Sequence, residues 1–265
     1  MTDLHLELDG ATLAYDVTGP EDGPVVIAAH GLTHSRANER ASWVFDWSAL
    51  PEAGFRLIRY DARGHGRSTG RRDAEDYGWP RLADDLLAFA QHVAGDAPVD
   101  MIGTSMGVGT ALTAATKAPE RFRRLALVIP PTAWETRPAQ AQVYEAGARF
   151  IEERGLDAFV RGSASLPPLP ILDAAGVWPP PPADIAEALI PTILRGAAAT
   201  DLPAPELIAA LPHQTLLLPW ADDPGHPVST SQRLAELLPN AELHVARTPD
   251  DLRAWGPRIV DLFSA

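Results

Sequence analysis

Ser105 is the residue whose setting most clearly predicts chemistry. It is the centre of the Gly-x-Ser-x-Gly pattern at residues 103–107, which directly follows an apolar run at 99–102 and precedes good helix formers that end at Pro119. This order predicts a strand, a tight turn and a helix, with the serine at the apex. Glycines on both sides let the turn hold a strained conformation and let strand and helix approach closely. The hydroxyl would then face a substrate as a nucleophile.

A serine nucleophile needs a base, and the base needs a third group that orients it. The segment Asp223-Pro224-Gly225-His226 has proline and glycine at the second and third positions of a type II turn, which brings the first and last Cα atoms within about 7 Å. Asp223 could therefore orient His226 locally. Asp222 is the alternative acid, and an ordinary turn is the alternative explanation of this segment.

The chain has eight histidines, and His34 and His244 are the alternative bases. His244 lies inside the predicted strand at 243–246, where a histidine is more often a packed or edge residue. His34 could line the pocket. His213 precedes its strand and is therefore expected at the wrong end of the sheet. Surface positions are expected for His5 and His92.

Composition limits the class of protein and its partners. The 265 residues are 46% hydrophobic, which suffices for a core, and they contain no apolar run of the roughly 18 residues that a membrane span needs. A formal net charge of −13 argues against nucleic acid and anionic membrane surfaces as partners. The absence of cysteine excludes disulfides and thiolate metal sites. The densest basic group, interpreted as a solvated loop, is Arg63, Arg67, Arg71 and Arg72.

The N-terminus has neither the basic start nor the apolar segment of a signal peptide. We therefore expect a cytoplasmic protein. Its expected partner is a small-molecule substrate, with no nucleic acid, membrane, metal or cofactor. The sequence does not distinguish a monomer from a homodimer.

Strand and helix patterns alternate along most of the chain. The alternating pattern at residues 4–17 predicts a β-hairpin, and apolar runs predict strands at 24–29, 55–60, 99–102, 125–129, 215–218 and 243–246. Helices are predicted after Ser105 and at 43–50, 81–93, 231–238 and 252–263. Such alternation implies right-handed crossovers and a mostly parallel, doubly wound α/β sheet with helices on both faces.

The alternation breaks between Pro130 and Pro212, and residues 132–207 form most of this stretch. Apolar residues there follow helical spacing, but repeated prolines, including those at 179–182, forbid one long helix. The segment is too apolar for a disordered linker. We interpret it as a helical cap over a core formed by 1–131 and 208–265. Because pocket linings are mostly apolar, Trp134 and Trp178 of the cap are expected to line the pocket.

Three motifs, in their order along the chain, resemble the α/β-hydrolase family. His30-Gly31 follows one strand, Asp61-x-Arg63-Gly64-x-Gly66-x-Ser68 follows the next, and the Gly-x-Ser-x-Gly pattern follows the third. The likeness covers nearly the whole chain, and the general arrangement is similar to the esterases and enol-lactonases of the family. It implies the α/β-hydrolase fold, with the helical cap inserted after the sixth strand.

By this resemblance Ser105 is the nucleophile, and the backbone N–H groups of Leu32 and Met106 form the oxyanion hole. Met106 also begins the predicted helix, whose dipole favours an anion. A serine at this position is unlike the aspartate of haloalkane dehalogenases and epoxide hydrolases. The other motif residues, interpreted as scaffold, are His30, Asp61, Arg63 and His65.

The position of the base departs from the family pattern. In the family the histidine follows the last strand, but residues 247–252 contain none. His226 is therefore interpreted as a relocated base. We expect a serine hydrolase of a small uncharged ester or lactone, in which Ser105 attacks, His226 takes the proton and Asp223 holds the imidazole. Two alternatives stay open: a degenerate protein that only binds a small molecule, and a non-hydrolytic enzyme that uses the same pocket.

Overall fold

An eight-stranded sheet forms the centre of the fold. The computed structural model describes residues 3–163 and 167–265. The strands are β1 (Leu4–Leu8), β2 (Ala11–Thr18), β3 (Val25–Ala29), β4 (Arg56–Tyr60), β5 (Val99–Thr104), β6 (Phe122–Val128), β7 (Gln214–Leu218) and β8 (Ala241–Leu243). Across the sheet their order is β1-β2-β4-β3-β5-β6-β7-β8. Ser105 therefore follows one of the two central strands.

The sheet is mostly parallel, as the alternation of strands and helices predicts. β2 pairs antiparallel with β1 and β4, whereas the strands from β4 to β8 pair in parallel. All six residues of β5 are buried, including Asp100, whose carboxylate pairs with Arg123 at 2.6 Å. The carboxyl ends of the parallel strands meet at one edge of the sheet. The loops that carry the predicted site residues follow these ends.

Helices cover both faces of this sheet. The α-helices are α1 (Arg36–Ala41), α2 (Ala49–Glu52), α3 (Trp79–Ala94), α4 (Met106–Lys117), α5 (Arg137–Arg154), α6 (Leu156–Ser163), α7 (Pro170–Ala174), α8 (Ile190–Ala198), α9 (Pro205–Ala209), α10 (Val228–Leu237), α11 (Pro249–Arg253) and α12 (Trp255–Ser264). Short 3₁₀ turns lie at Trp43–Phe45, Ala74–Tyr77, Pro119–Arg121, Trp134–Thr136 and Glu187–Leu189. Within residues 3–163 and 167–265, no helix has the length and apolar character to cross a membrane.

Two hydrophobic clusters form the core, one on each face of the sheet. Successive residues of a strand point to opposite faces, so Ile27 and Ala29 of β3 join the cluster that contains the apolar sides of α3, α4 and α10. Val26 and Ala28 join the other cluster, which contains α2 and α12. Burial on both faces holds β3 and β5 rigidly, and these strands place the loops around Ser105.

The helix predicted at 43–50 is wrong in its extent. The structure has a 3₁₀ turn at Trp43–Phe45 and a separate helix α2 that begins at Ala49. Between them the carboxylate of Asp46 accepts a 2.9 Å hydrogen bond from the backbone N–H of Ser48. This Asx turn satisfies the backbone locally and so interrupts the helix.

The last strand and last helix also differ from their predicted bounds. β8 ends at Leu243, and beyond it Ala246 forms an isolated bridge with Trp220. The chain leaves the edge of the sheet early, because β8 has a neighbour on one side alone and pairs with β7 over three residues. The closing helix, predicted at 252–263, consists of α11 and α12.

Arg63 corrects the interpretation of the basic group as a solvated loop. Its guanidinium is fully buried and forms two hydrogen bonds with Asp85 of α3, at 2.7 and 2.8 Å, and an ion pair with Asp76. The side chains of Arg67 and Arg71 are 74% and 49% exposed. Sequence spacing cannot separate these arginines, because the carboxylates that pair with Arg63 come from later segments.

The segment at 132–207 is mostly helical and lies over the carboxyl edge of the sheet. Its Asp184 donates a backbone N–H to Thr33 O at 2.8 Å and accepts from the N–H of Gly66 at 2.7 Å. The carboxylate of Asp184 accepts from Ser35 Oγ at 2.6 Å. These contacts tie the segment to loops beside Ser105. Its separation from 1–131 and 208–265 as a cap domain stays a prediction.

Candidate active site

The backbone at Ser105 has the strained turn that the glycine pattern predicts. Its φ is +51° and its ψ is −105°, a conformation that side-chain-bearing residues rarely adopt. The backbone N–H donates to Val128 O at 2.9 Å, which fixes the turn against β6. A Cβ atom at Gly103 would lie 2.4 Å from Gly107 O, and one at Gly107 would lie 2.2 Å from Ala29 O. Glycine is therefore required at both positions for β5, α4 and β3 to pack.

His226 lies within hydrogen-bond distance of both partners that the sequence assigns to it. Its Nε2 is 2.7 Å from Ser105 Oγ, and its Nδ1 is 2.7 Å from Asp223 Oδ2. The backbone N–H of His226 donates to Asp223 O at 3.2 Å, as expected of a turn that starts at Asp223. The structure thus brings Ser105, His226 and Asp223 into one hydrogen-bonded chain.

Asp223 is held in its ionised form. Burial by itself would raise the pKa of its carboxyl group, but hydrogen bonds and charge outweigh burial and lower the pKa to about 2. The donors are His226, the indole N–H of Trp220 at 2.7 Å and the backbone N–H of Gly225 at 2.8 Å. The neighbouring Asp222 is exposed and has a φ of +63°. Its carboxylate takes no part in these contacts.

The two alternative bases lie in different surroundings. His34 lines the same cavity as His226 and contacts the Phe45 ring edge-to-face at 6.5 Å. Burial and the neighbouring His226 lower the pKa of His34, which favours its neutral imidazole. His244 follows β8 at the surface, where its partners are Glu242 and Arg258. It is not among the residues that line the cavity at Ser105.

The scaffold histidines, His30 and His65, form a buried pair with ring centroids 5.1 Å apart. Burial lowers the pKa of His30 to about 4, and burial together with the neighbouring His30 ring lowers the pKa of His65 to about 3. Neutral His30 Nε2 accepts a 2.9 Å hydrogen bond from the N–H of Ala62. Asp61 is buried and accepts from Arg36 and the N–H of Arg67. Through these contacts the motif residues join the loops that follow β3 and β4.

The backbone N–H groups of Leu32 and Met106 lie beside Ser105 with no acceptor among the described residues. Leu32 and Ser105 line two cavities in common, and Met106 lines the smaller one with them. Met106 is the first residue of α4, where the helix dipole favours negative charge. Two free N–H donors next to a serine are the groups that an oxyanion hole requires.

A largely apolar cavity of about 200 Å³ opens at Ser105. Trp178 lines it, together with Val44, Phe45, Ile129, Leu169, Leu172, Val177 and Trp220. Trp134 is not in this lining: its indole N–H donates to Pro203 O at 3.1 Å, and its ring packs on the core. Of the two tryptophans predicted for the pocket, the structure therefore places one there. Trp134 is held away by its contact with the chain at Pro203.

Trp220 is the main site residue that sequence reasoning missed. Besides its bond to Asp223, it stacks on Trp255 with ring centroids 6.1 Å apart and meets the His226 ring edge-on at 6.1 Å. A tryptophan two residues after a parallel strand and three residues before an aspartate is a signal that could have found it. No group of three or more metal-ligating side chains occurs in the part of the chain that the structure describes.

Comparison with known proteins places these features in a family. A family model described as alpha/beta hydrolase fold matches residues 24–153. A candidate carbamate hydrolase, RutD, from Variovorax paradoxus (strain S110) is 30% identical over 88% of this chain and 86% of its own length. The chain belongs to the α/β-hydrolase fold family. The 2-hydroxymuconate semialdehyde hydrolase of Pseudomonas putida is also similar, with 31% identity over 72% of this chain and 68% of its own.

Solved structures extend the shared fold to the whole of this α/β-hydrolase. The enol-lactonase from Burkholderia xenovorans LB400 superposes with a TM-score of 0.74 over 99% of this chain and 100% of its own, at 19% sequence identity. At this identity the likeness concerns the fold. With relatives named as hydrolases and this fold, the protein is a hydrolase.

Proposed function

We propose that the chain is a serine hydrolase that cleaves an ester or lactone through an acyl-enzyme on Ser105. The observation that carries the proposal is the continuous chain from Ser105 Oγ through His226 to Asp223, with 2.7 Å at each contact. A serine hydroxyl is a weak nucleophile by itself, and a base at this distance raises its reactivity. The same geometry favours turnover over the alternative of a protein that only binds.

The chemistry follows from the positions of the donors and acceptors. Ser105 Oγ attacks the carbonyl carbon while His226 Nε2 takes the hydroxyl proton. The N–H groups of Leu32 and Met106 hold the negative oxygen of the tetrahedral intermediate. His226 then returns the proton to the leaving oxygen as the carbon–oxygen bond breaks. Water, deprotonated by His226, attacks the acyl-enzyme in turn and releases the carboxylic acid and free Ser105.

Asp223 stays ionised throughout this cycle and stabilises the imidazolium that forms at each proton transfer. Its low pKa, about 2, means that it orients His226 Nδ1–H and does not accept the proton. The segment at 132–207 acts as a cap, because it covers the carboxyl edge of the sheet at Ser105. The apolar lining of the main cavity supports a substrate with an apolar part.

The test is covalent labelling with a neutral fluorophosphonate, which reacts with an activated serine. We expect the wild type to be labelled at Ser105 and Ser105→Ala to be unlabelled, with a drop in kcat of at least about 10³-fold on p-nitrophenyl esters. The circular dichroism spectrum of Ser105→Ala should match the wild type. An unlabelled wild type, or an active Ser105→Ala variant, would contradict the proposal.

The names of the relatives widen the substrate panel. Carbamates and a 2-hydroxymuconate semialdehyde should be assayed beside esters and lactones. If the proposal is correct, an ester or lactone should have the highest kcat/KM of the substrates assayed. Turnover of a carbamate or of the semialdehyde with higher kcat/KM would keep Ser105 as nucleophile and change the substrate.

A further inference from the structure

The main cavity at Ser105 is the space that must hold both parts of the substrate. Its volume is about 200 Å³, whereas the smaller cavity beside Leu32 and Met106, at about 10 Å³, has room for about one water molecule. Polar groups in the lining of the main cavity therefore decide which substrates fit. Three polar side chains of this lining take no part in the catalytic steps above, namely His34, Ser42 and Thr104.

The imidazole of His34 lines this cavity without a hydrogen-bond partner. Within residues 3–163 and 167–265 neither ring nitrogen has a donor or acceptor, and the ring contacts Phe45 edge-to-face at 6.5 Å. A neutral imidazole has one N–H donor and one acceptor nitrogen. Because a polar group withdrawn from water is costly without a partner, this ring is suited to bind a polar atom of a ligand.

The loop around His34 is anchored on both sides. The N–H of His34 donates to Gly31 O at 3.2 Å and closes a turn in which Thr33 has a φ of +65°. The next residue, Ser35, caps helix α1 by accepting two backbone N–H groups of its first turn. Asp184 donates to Thr33 O at 2.8 Å and accepts from Ser35 Oγ at 2.6 Å. The backbone of His34 is therefore fixed before a substrate binds, which lowers the entropy cost of binding.

The same turn places His34 close to the scissile carbonyl. Leu32, which donates to the oxyanion in the proposed mechanism, is two residues away, so the two Cα atoms lie within about 7 Å of each other. Both residues line the main cavity together with Ser105. The His34 ring is therefore positioned to contact substrate atoms a few bonds from the carbonyl carbon.

The charges around the cavity favour a neutral group over an anion. Burial, and then the charge of the neighbouring His226, lowers the pKa of His34 and favours its neutral form. The described lining contains no lysine or arginine, but it does contain ionised Asp223. A substrate carboxylate would thus lie in a largely apolar cavity without a cation to pair with, which is costly.

We propose that His34 binds a neutral hydroxyl group of the substrate, so that the preferred ester or lactone carries a hydroxyl a few bonds from its scissile carbonyl. A hydroxyl both donates and accepts, and it therefore matches both kinds of ring nitrogen. Ser42, whose own hydroxyl has no partner within the described residues, offers a second contact in the same lining. This assignment rests on the proposed acyl-enzyme chemistry and names the polar part of an otherwise apolar substrate.

The test compares esters that differ by one hydroxyl group in either part of the molecule. Methyl 3-hydroxybutanoate is paired with methyl butanoate, and 2-hydroxyethyl butanoate is paired with propyl butanoate. We expect the wild type to prefer the hydroxylated ester of at least one pair in kcat/KM by about 3- to 10-fold, the worth of one neutral hydrogen bond. Monomethyl succinate, an anion of similar size, should be a poorer substrate than methyl butanoate.

His34→Phe keeps a ring against Phe45 but removes both nitrogens. It should abolish the preference, chiefly through a higher KM for the hydroxylated ester, because this hydrogen bond forms when the substrate binds. His34→Gln, which keeps a donor and an acceptor, should retain part of the preference. The matched control is His5→Phe, at an exposed position of β1 outside the cavity lining, and it should keep the full preference.

The outcomes separate this assignment from the proposed function. Fluorophosphonate labelling of His34→Phe should persist, since the neutral probe needs Ser105 and His226 alone. A labelled wild type that hydrolyses methyl butanoate but shows no hydroxyl preference in either pair, or that prefers the succinate, would overturn the assignment and leave the serine hydrolase proposal intact. A preference that survives in His34→Phe, or that His5→Phe loses equally, would also overturn it.

Binding can be measured without turnover in Ser105→Ala. Titration with the preferred hydroxylated ester and with its partner, followed by tryptophan fluorescence, should show the hydroxylated ester binding about 3- to 10-fold more tightly. Adding His34→Phe to this variant should remove the difference. Equal binding of the two esters to Ser105→Ala would overturn the assignment, whether or not the protein turns over esters. Should His34→Phe not fold, the wild-type preference and the His34→Gln result decide.

Discussion

The indole N–H of Trp220 donates a 2.7 Å hydrogen bond to Asp223 Oδ2, the same oxygen that lies 2.7 Å from His226 Nδ1. Trp220 thereby holds the carboxylate in the orientation that His226 requires. The backbone N–H of Gly225 holds the other oxygen. Together these donors lower the pKa of Asp223, so a local turn and one tryptophan orient the acid of the site.

Trp220→Phe removes the hydrogen bond that orients the Asp223 carboxylate, but it keeps an aromatic ring packed against Trp255. Loss of a donor to the charged carboxylate raises the pKa of Asp223 from about 2 towards its ordinary value of 3.8. We expect kcat to fall about tenfold with little change in KM, because one hydrogen bond to a charged group is worth about that factor. Steady-state kinetics on a p-nitrophenyl ester measures this.

The same variant has a signature in acid unfolding. Because the folded-state pKa of Asp223 is depressed, its stabilising contribution is present above pH 3.8 and is lost as the pH falls towards 2. Trp220→Phe should therefore show a smaller loss of stability across this window. Trp255→Phe is the matched control, since it alters the other ring of the stack without a bond to Asp223. Equal losses of kcat in both variants would assign the effect to packing.

His226→Gln should remove most of the activity. General-base help is worth about 10²- to 10⁴-fold, and glutamine cannot take the proton from Ser105. His244→Gln is the control, because His244 contacts Glu242 and Arg258 at the surface. We expect its kcat/KM to stay within about twofold of the wild type, as for most surface substitutions. Retained activity in His226→Gln would show that another group is the base.

Glu39 is a buried carboxyl group whose replacement should stabilise the protein at alkaline pH. It is 2% exposed, and its Oε1 has no hydrogen-bond partner among the described residues. Burial raises the pKa of Glu39 from 4.5 to about 7. The folded protein therefore holds this proton more tightly than the unfolded chain does. The free energy of unfolding should fall as the pH rises from about 4.5 through 7.

Glu39→Gln removes this titration. At pH 8 the variant should be more stable than the wild type by about 3 kcal/mol, whereas below pH 4.5 the two should be similar. Urea unfolding at pH 4.5 and pH 8 measures the difference. The control is Glu236→Gln, at an exposed glutamate of α10, which should change stability by less than about 0.5 kcal/mol at either pH. The charge of Arg59 lies near Glu39 and favours its ionised form. A destabilised Glu39→Gln at pH 8 would mean that this pair is net stabilising.

Trp178→Ala should change the size preference for the apolar part of the substrate. The indole lines the main cavity, so its removal enlarges the space beside Ser105. Two esters are compared, one with a bulky apolar alcohol group and one with a small one. We expect the ratio of their kcat/KM values, bulky over small, to rise about tenfold, which is a typical change for pocket contacts. Trp134→Ala, which lies outside this lining, should leave the ratio unchanged. An equal ratio in all three proteins would remove Trp178 from the pocket.

Local sequence determined the parts of this protein that depend on neighbours along the chain. The glycines at 103 and 107 predicted the turn at Ser105, because backbone strain and close packing are local requirements. Asp223 and His226 were within reach of each other because one four-residue turn contains both. Mostly apolar runs indicated the parallel strands, since burial on both faces of a sheet favours apolar residues.

Tertiary structure decided what depends on distant segments. Trp220 could be recognised as a partner of Asp223 once its indole was placed. The burial of Arg63 could not be predicted, because it depends on Asp85, which lies on the separate helix α3. Trp134 and Trp178 are alike in sequence terms, yet the fold turns one towards Pro203 and the other into the cavity. Arg137 at the start of α5 is buried because α5 packs against α8 and because its guanidinium lies over the Trp79 ring. Side-chain direction and burial arise from contacts between elements, which the spacing of residues along one element does not contain.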